Sequence, residues 1–262
     1  MRGIKKGDIV SRGSYNNDIL FYVEDVINKD RNKMIAVLKG VTIRVEADAP
    51  VEDLRIADTG KVNEAINELY KKIDLESGIN NRTAGNYGKI LHLDGDKRYS
   101  EKTEKYYKKS GLNYIVKHVA EHKQPNVVTG LLQRYKPDIL VITGHDGMIK
   151  KGKNYSDINN YRNSKYFMKA VIEARSWNRN IDDLVIFAGA CQSYYEALIN
   201  AGANFASSPA RILIDFMDPL VVAEEISKAP KNKIIFVSDI ETKIRNGRKA
   251  VNGIGARGKK GW

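Results

Sequence analysis

Cysteine is nearly absent: Cys191 is the only one among 262 residues. An internal disulfide is therefore excluded, and so is a structural zinc site built on several thiolates. Long apolar runs are missing as well. None approaches the roughly 20 residues needed to span a bilayer. The opening Met1-Arg-Gly-Ile-Lys-Lys-Gly-Asp8 lacks the apolar core of a secretory signal. The expectation is residence in the cytoplasm, with no membrane partner. Neither a Gly-x-Ser-x-Gly elbow nor a phosphate-binding Gly-Lys-Ser/Thr loop is present, and no cofactor or metal is expected.

Acidic residues are outnumbered, 32 against 44 Lys and Arg, for a formal charge of +12. Such an excess raises the question of nucleic acid. The basic residues are spread along the chain, however, with runs only at Lys5-Lys6, Lys243-Ile-Arg-Asn-Gly-Arg-Lys249 and Arg257-Gly-Lys-Lys260. Spread charge describes a solvated surface better than a binding stripe, and nucleic acid is not an expected partner.

What is present divides the chain into four parts. Residues 1–57 alternate in short β patterns at Lys6–Val10, Leu20–Val26, Met34–Leu38, Val41–Val45 and Val51–Ile56, with Asn-rich turns between them. This reads as a small all-β, SH3-like barrel. Residues 58–87 read as a connector: Val62, Ile66, Leu69 and Ile73 recur at helical spacing, then Ser77–Asn86 reads as a linker. From 88 to 242 strands alternate with helices. The strand patterns are Lys89–Leu93, Leu112–Val119, Asp138–Thr143, Leu184–Ala188 and Asn204–Ser208. The helices lie near 100–110, 125–136, 163–177, 192–202 and 218–228. Continuous apolar strands joined through helices predict a doubly wound, mainly parallel α/β sheet, a flavodoxin-like sandwich. Lys233–Ile240 fits a strand or a helix. Residues 243–262 read as a basic, glycine-rich, mobile tail.

Two strand ends carry candidate chemistry. Ile139-Leu-Val-Ile-Thr-Gly-His145-Asp-Gly147 and Leu184-Val-Ile-Phe-Ala-Gly-Ala-Cys191-Gln-Ser193 each run a buried strand into a glycine and then a reactive side chain. In open α/β sheets chemistry collects at the carboxyl edge. Neighbouring strands lie about 4.8 Å apart, so the two side chains can act on one bond. Cys191 falls at the start of the predicted helix 192–202, where unpaired amides and the helix dipole favour a thiolate. His145 suits proton transfer near neutrality. The amide of Cys191, with that of Asp146 or Gly147, is positioned to bind a developing oxyanion.

The strand ending in histidine and the later strand ending in Ala-Cys resemble the caspase–gingipain–legumain clan of cysteine peptidases. A fuller resemblance is to the YabG family of sporulation-specific proteases. It is carried by Lys89-Ile-Leu-His-Leu-Asp-Gly-Asp96, Pro137–Asp146, Val185–Ser193, Ala201–Pro209 and the amino-terminal Gly7-Asp8-Ile-Val10. The resemblance implies a caspase-like fold and a Cys191–His145 dyad. It also implies cleavage after exposed arginines of spore-coat and other sporulation precursor proteins, within the mother cell or forespore and in association with the coat. Where the wider clan places glycine directly after histidine, this chain has Asp146 and then Gly147.

Cleavage after arginine requires a carboxylate at the base of the pocket, because a desolvated guanidinium must be paired. Asp94, Asp96 and Asp146 are the candidates, with helix capping or turn formation as the ordinary role of such aspartates. Ser207 and Ser208 are candidates for pairing with substrate backbone. Self-processing is expected at Arg82, Arg245, Arg248 or Arg257. His118-Val-Ala-Glu-His122 matches an inverted zinc-peptidase pattern, but Tyr114-Ile-Val favours a strand there, and His92 reads as a core histidine. The rival reading is a non-catalytic spore-coat or nucleic-acid binding protein using the barrel and the basic surface.

Overall fold

The computed structural model describes residues 3–30, 33–76, 86–149 and 154–261. The amino-terminal part is one antiparallel sheet. Its strands are β1 (Ile9–Arg12), β2 (Leu20–Asp30), β3 (Lys33–Gly40), β4 (Glu46–Pro50) and β5 (Leu54–Ile56), in the order β4-β3-β2-β1-β5. Alternation does the work expected of it: Phe21, Val23, Ala36 and Leu38 point inward and are buried. One strand assignment fails. Val41–Val45, which alternates like a strand, is not in this sheet. It is the connection between β3 and β4, and it makes isolated bridges from Ile43 to Asp215 and from Val45 to Asp146. Alternation marks an extended segment but cannot say which partner the segment will find.

Helix α1 (Thr59–Glu76) buries Val62, Leu69 and Ile73, as its spacing predicts. Residues 77–85, which include Arg82, lie outside the described residues.

The second sheet holds β6 (Ile90–Asp94), β7 (Tyr114–His118), β8 (Ile139–Thr143), β9 (Val185–Ala188) and β10 (Phe205–Ser207), all parallel. Both faces are covered. Along β8, Ile139 and Val141 pack with α2 (Lys97–Lys109) and α6 (Asp218–Lys228). Leu140 and Ile142 face the other way, toward α3 (Gln124–Tyr135), α4 (Ser164–Trp177) and α5 (Tyr195–Asn200). This is the two-sided burial that continuous apolar strands require. The mixed α/β architecture with a mainly parallel sheet follows the sequence reading.

Two expectations are corrected. Residues beyond 243 do not form a mobile tail. Past the short pair β11 (Ile234–Ile235) and helix α7 (Val237–Ile240), Val251–Gly253 becomes β12, antiparallel to β10, and Ala256–Arg257 becomes β13, paired with β11. Without β12 the main sheet would end on β10 with a row of unpaired backbone groups. A Cβ on Gly253 would lie 2.1 Å from the Asn204 carbonyl oxygen, so glycine here permits the close approach. The segment 233–240 is thus strand and helix in turn. The expected helix 192–202 shrinks to six residues beginning at Tyr195, which leaves Cys191 in a turn outside its amino end.

The carboxyl edge of the central strands holds the candidate site. The sheet order is β12-β10-β9-β8-β6-β7, so β6, β8 and β9 are successive neighbours. Their ends are tied together: the Thr143 hydroxyl donates to the Gly189 carbonyl (2.9 Å) and the Gly95 amide to the Thr143 carbonyl (3.0 Å). Gly189 makes the turn at φ +108°, a left-handed value that L side chains rarely adopt. A Cβ there would lie 2.9 Å from Leu198 Cδ1.

Candidate active site

His145 follows β8 and is fully buried. Its Nε2 lies 3.1 Å from Asp96 Oδ2. A carboxylate only accepts, so Nε2 carries the proton in this contact, and in the neutral imidazole Nδ1 keeps its lone pair. No hydrogen-bond partner reaches that Nδ1 among the described residues. Burial works to raise the Asp96 pKa, but hydrogen bonds from His145 and Arg98 outweigh it and hold the carboxyl well below the ordinary range. The backbone around His145 is clamped as well: its amide donates to Glu121 Oε1 (2.9 Å), and its carbonyl accepts from Asn163 Nδ2 (2.8 Å). The Tyr99 ring stacks on the imidazole, with centroids 5.0 Å apart.

Cys191 follows β9 and is likewise fully buried. Its Sγ accepts from the Ile214 amide at 3.2 Å. Burial pushes the thiol up to about 12, opposed by backbone hydrogen bonds from Ile214 and Arg44 and by the Arg44 charge. The helix-terminus argument for a thiolate is therefore overturned, because α5 starts too late and desolvation dominates.

The loops that carry both residues meet the connection between β3 and β4. The Arg44 carbonyl accepts from the amides of Asp146 (3.1 Å) and Cys191 (3.2 Å). The next turn of the ladder continues from Glu46, whose amide donates to the Asp146 carbonyl (2.9 Å). The Arg44 side chain is fully buried, and its Nη1 meets Asp94 Oδ2 at 2.7 Å. Its guanidinium carbon also sits 4.9 Å from the Tyr99 ring centroid and 5.0 Å from that of Phe216, distances that suit cation–π attraction. Burial would raise the Asp94 pKa, but Arg44 and His92 bring the group down to about 2. The site thus holds an arginyl peptide bond with its carbonyl on two converging amides and its side chain on a buried carboxylate.

Similarity to known proteins gives the family. The YabG peptidase U57 profile matches residues 5–262. The chain belongs to the YabG peptidase family. The sporulation-specific protease YabG of Bacillus subtilis (strain 168) is 38% identical over 274 residues, covering 96% of this chain and 94% of that protein. No solved structure matches. No helix among the described residues is long and apolar enough to cross a membrane.

In this YabG-family chain the remaining candidates fall into place unevenly. Asp96 caps α2, accepting from the Arg98 amide at 2.8 Å, and orients His145 with its other oxygen. The capping role is therefore met, and Asp96 makes no hydrogen bond or ion pair with the Arg44 guanidinium, which goes to Asp94. Asp146 offers its amide to Arg44, whereas its carboxylate binds Ser164 Oγ (2.5 Å), Ser193 Oγ (2.9 Å) and the amides of Gly147 and Asn163. Its side chain is thus turned into the loop rather than toward the arginine. Burial raises it to about 6, against those hydrogen bonds. The Gly147 amide is engaged by Asp146 Oδ1, so Asp146 rather than Gly147 supplies the second amide at the Arg44 carbonyl. A Cβ on Gly147 would come 2.3 Å from the Glu46 carbonyl oxygen; glycine here admits the neighbouring backbone.

Ser208 bonds to Ile212 and Ala250, and Ser207 Oγ has no hydrogen-bond partner among the described residues. Neither pairs with residues 43–46. His92 Nδ1 meets the Tyr107 hydroxyl at 2.9 Å, as a core histidine would. In the His118–His122 pattern, Glu121 instead buttresses His145, and no cluster of three metal-ligating side chains occurs among the described residues.

Sequence reading missed Arg44, Tyr99, Glu121 and Phe216. Tyr99 had a signal of a kind: it is one of three tyrosines in a helix otherwise made of charged and small polar residues. The buried side of α6 adds a pH dependence. Asp218 is raised to about 7 by burial and by Asp215. A carboxyl raised on folding binds its proton more tightly in the native state, so stability falls as pH rises from about 4 to about 7. In Asp218→Asn that fall should shrink by about 2 kcal/mol. Melting temperatures of both proteins at pH 5 and pH 8 measure it, and equal shifts would refute the assignment.

Proposed function

We propose that the chain is a cysteine endopeptidase that cuts after arginine, with Cys191 as nucleophile and His145 as general base and acid. The observation that carries the reading is the Arg44 carbonyl on the Asp146 and Cys191 amides, with the Arg44 guanidinium on Asp94. A substrate arginine takes the same place. The lone pair on His145 Nδ1 removes the Sγ proton, work that a thiol held near 12 requires. Sulfur attacks the carbonyl carbon, and the two amides receive the negative charge on oxygen. The imidazolium protonates the departing amine, and water then hydrolyses the thioester. Asp96 holds the imidazole in the required tautomer, and Glu121 and Asn163 hold its backbone.

Asp94 sets the preference for arginine. It is buried, and entry of a neutral side chain would leave it without its cation. The Tyr99 and Phe216 rings add a flat surface that suits a guanidinium better than an ammonium. The similarity to a sporulation-specific protease supports spore-coat and other sporulation precursor proteins as substrates, in the mother cell or forespore. The parallel sheet with histidine and cysteine at adjacent strand ends supports a caspase-like fold for the α/β part, and the five-stranded antiparallel sheet supports an SH3-like barrel.

Arginyl, lysyl and alanyl peptide amides presented to the purified protein should be hydrolysed in that order of rate. An arginyl chloromethyl ketone should add once, on Cys191, as read by peptide mass spectrometry. Addition at another residue, or an alanyl substrate cut as fast as the arginyl one, overturns the reading.

A further inference from the structure

The occupant of the site is part of the chain itself. Arg44 reaches it because Gly40 allows a tight exit from β3: a Cβ there would lie 2.3 Å from the Ile43 carbonyl oxygen. The Gly40 amide donates to the Val45 carbonyl (2.9 Å), closing the loop between β3 and β4. The Tyr99 hydroxyl lies 3.0 Å from the carbonyls of both Gly40 and Ile43. Bridges from Ile43 to Asp215 and from Val45 to Asp146 hold the segment extended on either side of Arg44. The residue after Arg44 is valine, whose secondary amide can be cut. None of the arginines favoured by their apparent exposure in the sequence occupies this position.

We infer that the Arg44–Val45 bond is a self-cleavage site, cut in cis, and that this segment must leave before another protein can be cut. The inference rests on the cysteine-peptidase reading above. The Cys191 thiol, its proton taken by His145, adds to the Arg44 carbonyl carbon. The bond to the Val45 nitrogen breaks, and that nitrogen takes the proton back from His145. Water then releases Arg44 as a carboxylate and restores the thiol. The products are residues 1–44 and 45–262, still joined by the five paired positions of β3 and β4. The cut leaves a new carboxylate beside Cys191 and a new ammonium at Val45, which is 7% exposed. Unpaired charges in a desolvated site are costly, so both ends are driven outward and the pocket on Asp94 opens.

Intact mass spectrometry of wild type, Cys191→Ala, Arg44→Gln and Val45→Pro tests this, with arginyl-amide hydrolysis measured alongside. Wild type should show fragments 1–44 and 45–262, and the three variants should remain whole. Cys191→Ala should also stay whole when mixed with wild type, because its Arg44 is shut inside its own site. Arg44→Gln frees the pocket and should hydrolyse the arginyl amide about tenfold or more faster than Val45→Pro, which keeps Arg44 seated and uncut. Val45→Pro also retains the Arg44–Asp94 pair, which covers the case in which Arg44→Gln folds poorly. Wild type that stays whole while hydrolysing the arginyl amide overturns the inference and leaves the peptidase reading standing. Wild type that stays whole and becomes active only on loss of Arg44 also overturns cleavage. No hydrolysis by wild type or Arg44→Gln overturns both readings. Cutting of Cys191→Ala at Arg44 by added wild type overturns the cis step.

Discussion

Cys191→Ala is expected to lower kcat/KM for an arginyl peptide by about 10⁴-fold or more, with the melting temperature little changed. Sγ is the only thiol in the chain, and the amide of the same residue donates to the Arg44 carbonyl. Its neighbours would survive the substitution. The Cys191 amide would still donate to the carbonyl, and Asp146 would still supply the second donor. Arg44 therefore stays uncut and seated while chemistry stops, so the loss appears in both kcat and KM. His145→Ala should lose about 10²–10⁴-fold, since a thiol raised to about 12 needs a base to take its proton. Retention of full activity by both variants would remove the mechanism.

Asp94→Asn should reduce hydrolysis of arginyl substrates by about 10²–10³-fold, the loss expected when one partner of a buried ion pair is removed. The effect should be far smaller for an alanyl substrate, so the ratio of the two rates is the measurement. Asp94 is fully buried and its Oδ2 meets Arg44 at 2.7 Å. Its second oxygen accepts from the Asp96 amide at 2.9 Å, which fixes the carboxylate at the end of β6. A neutral amide keeps the shape and loses the charge. An unchanged arginyl-to-alanyl ratio would show that another group reads the arginine.

The residues gathered at the candidate site were legible to different degrees. Cys191 and His145 stood out because each follows a glycine at the end of an apolar run, and the pairing of Ile142 with Ala188 makes those runs neighbours. Asp94 and Asp96 were both visible as carboxylates at a strand end. Their division of labour was not, since it depends on which oxygen faces Arg44 and which faces His145. Asp146 looked like a third pocket carboxylate, yet two serine hydroxyls and two amides hold its side chain elsewhere. The helix after Cys191 was overextended because Gln192–Asn200 has helical composition, whereas Gln192 adopts φ +54° and delays the start of α5 to Tyr195.

By itself the sequence determined the alternation of parallel strands with helices and the two reactive residues at strand ends. Periodicity and local chemistry are properties of short stretches, and they survive without knowledge of the fold. Only the tertiary structure decided that Arg44, read as an ordinary position in a β pattern, lies between Asp94 and the amides of Asp146 and Cys191. That placement joins residues 50 to 147 positions apart. An extended segment carries no mark of the distant backbone that will satisfy its hydrogen bonds.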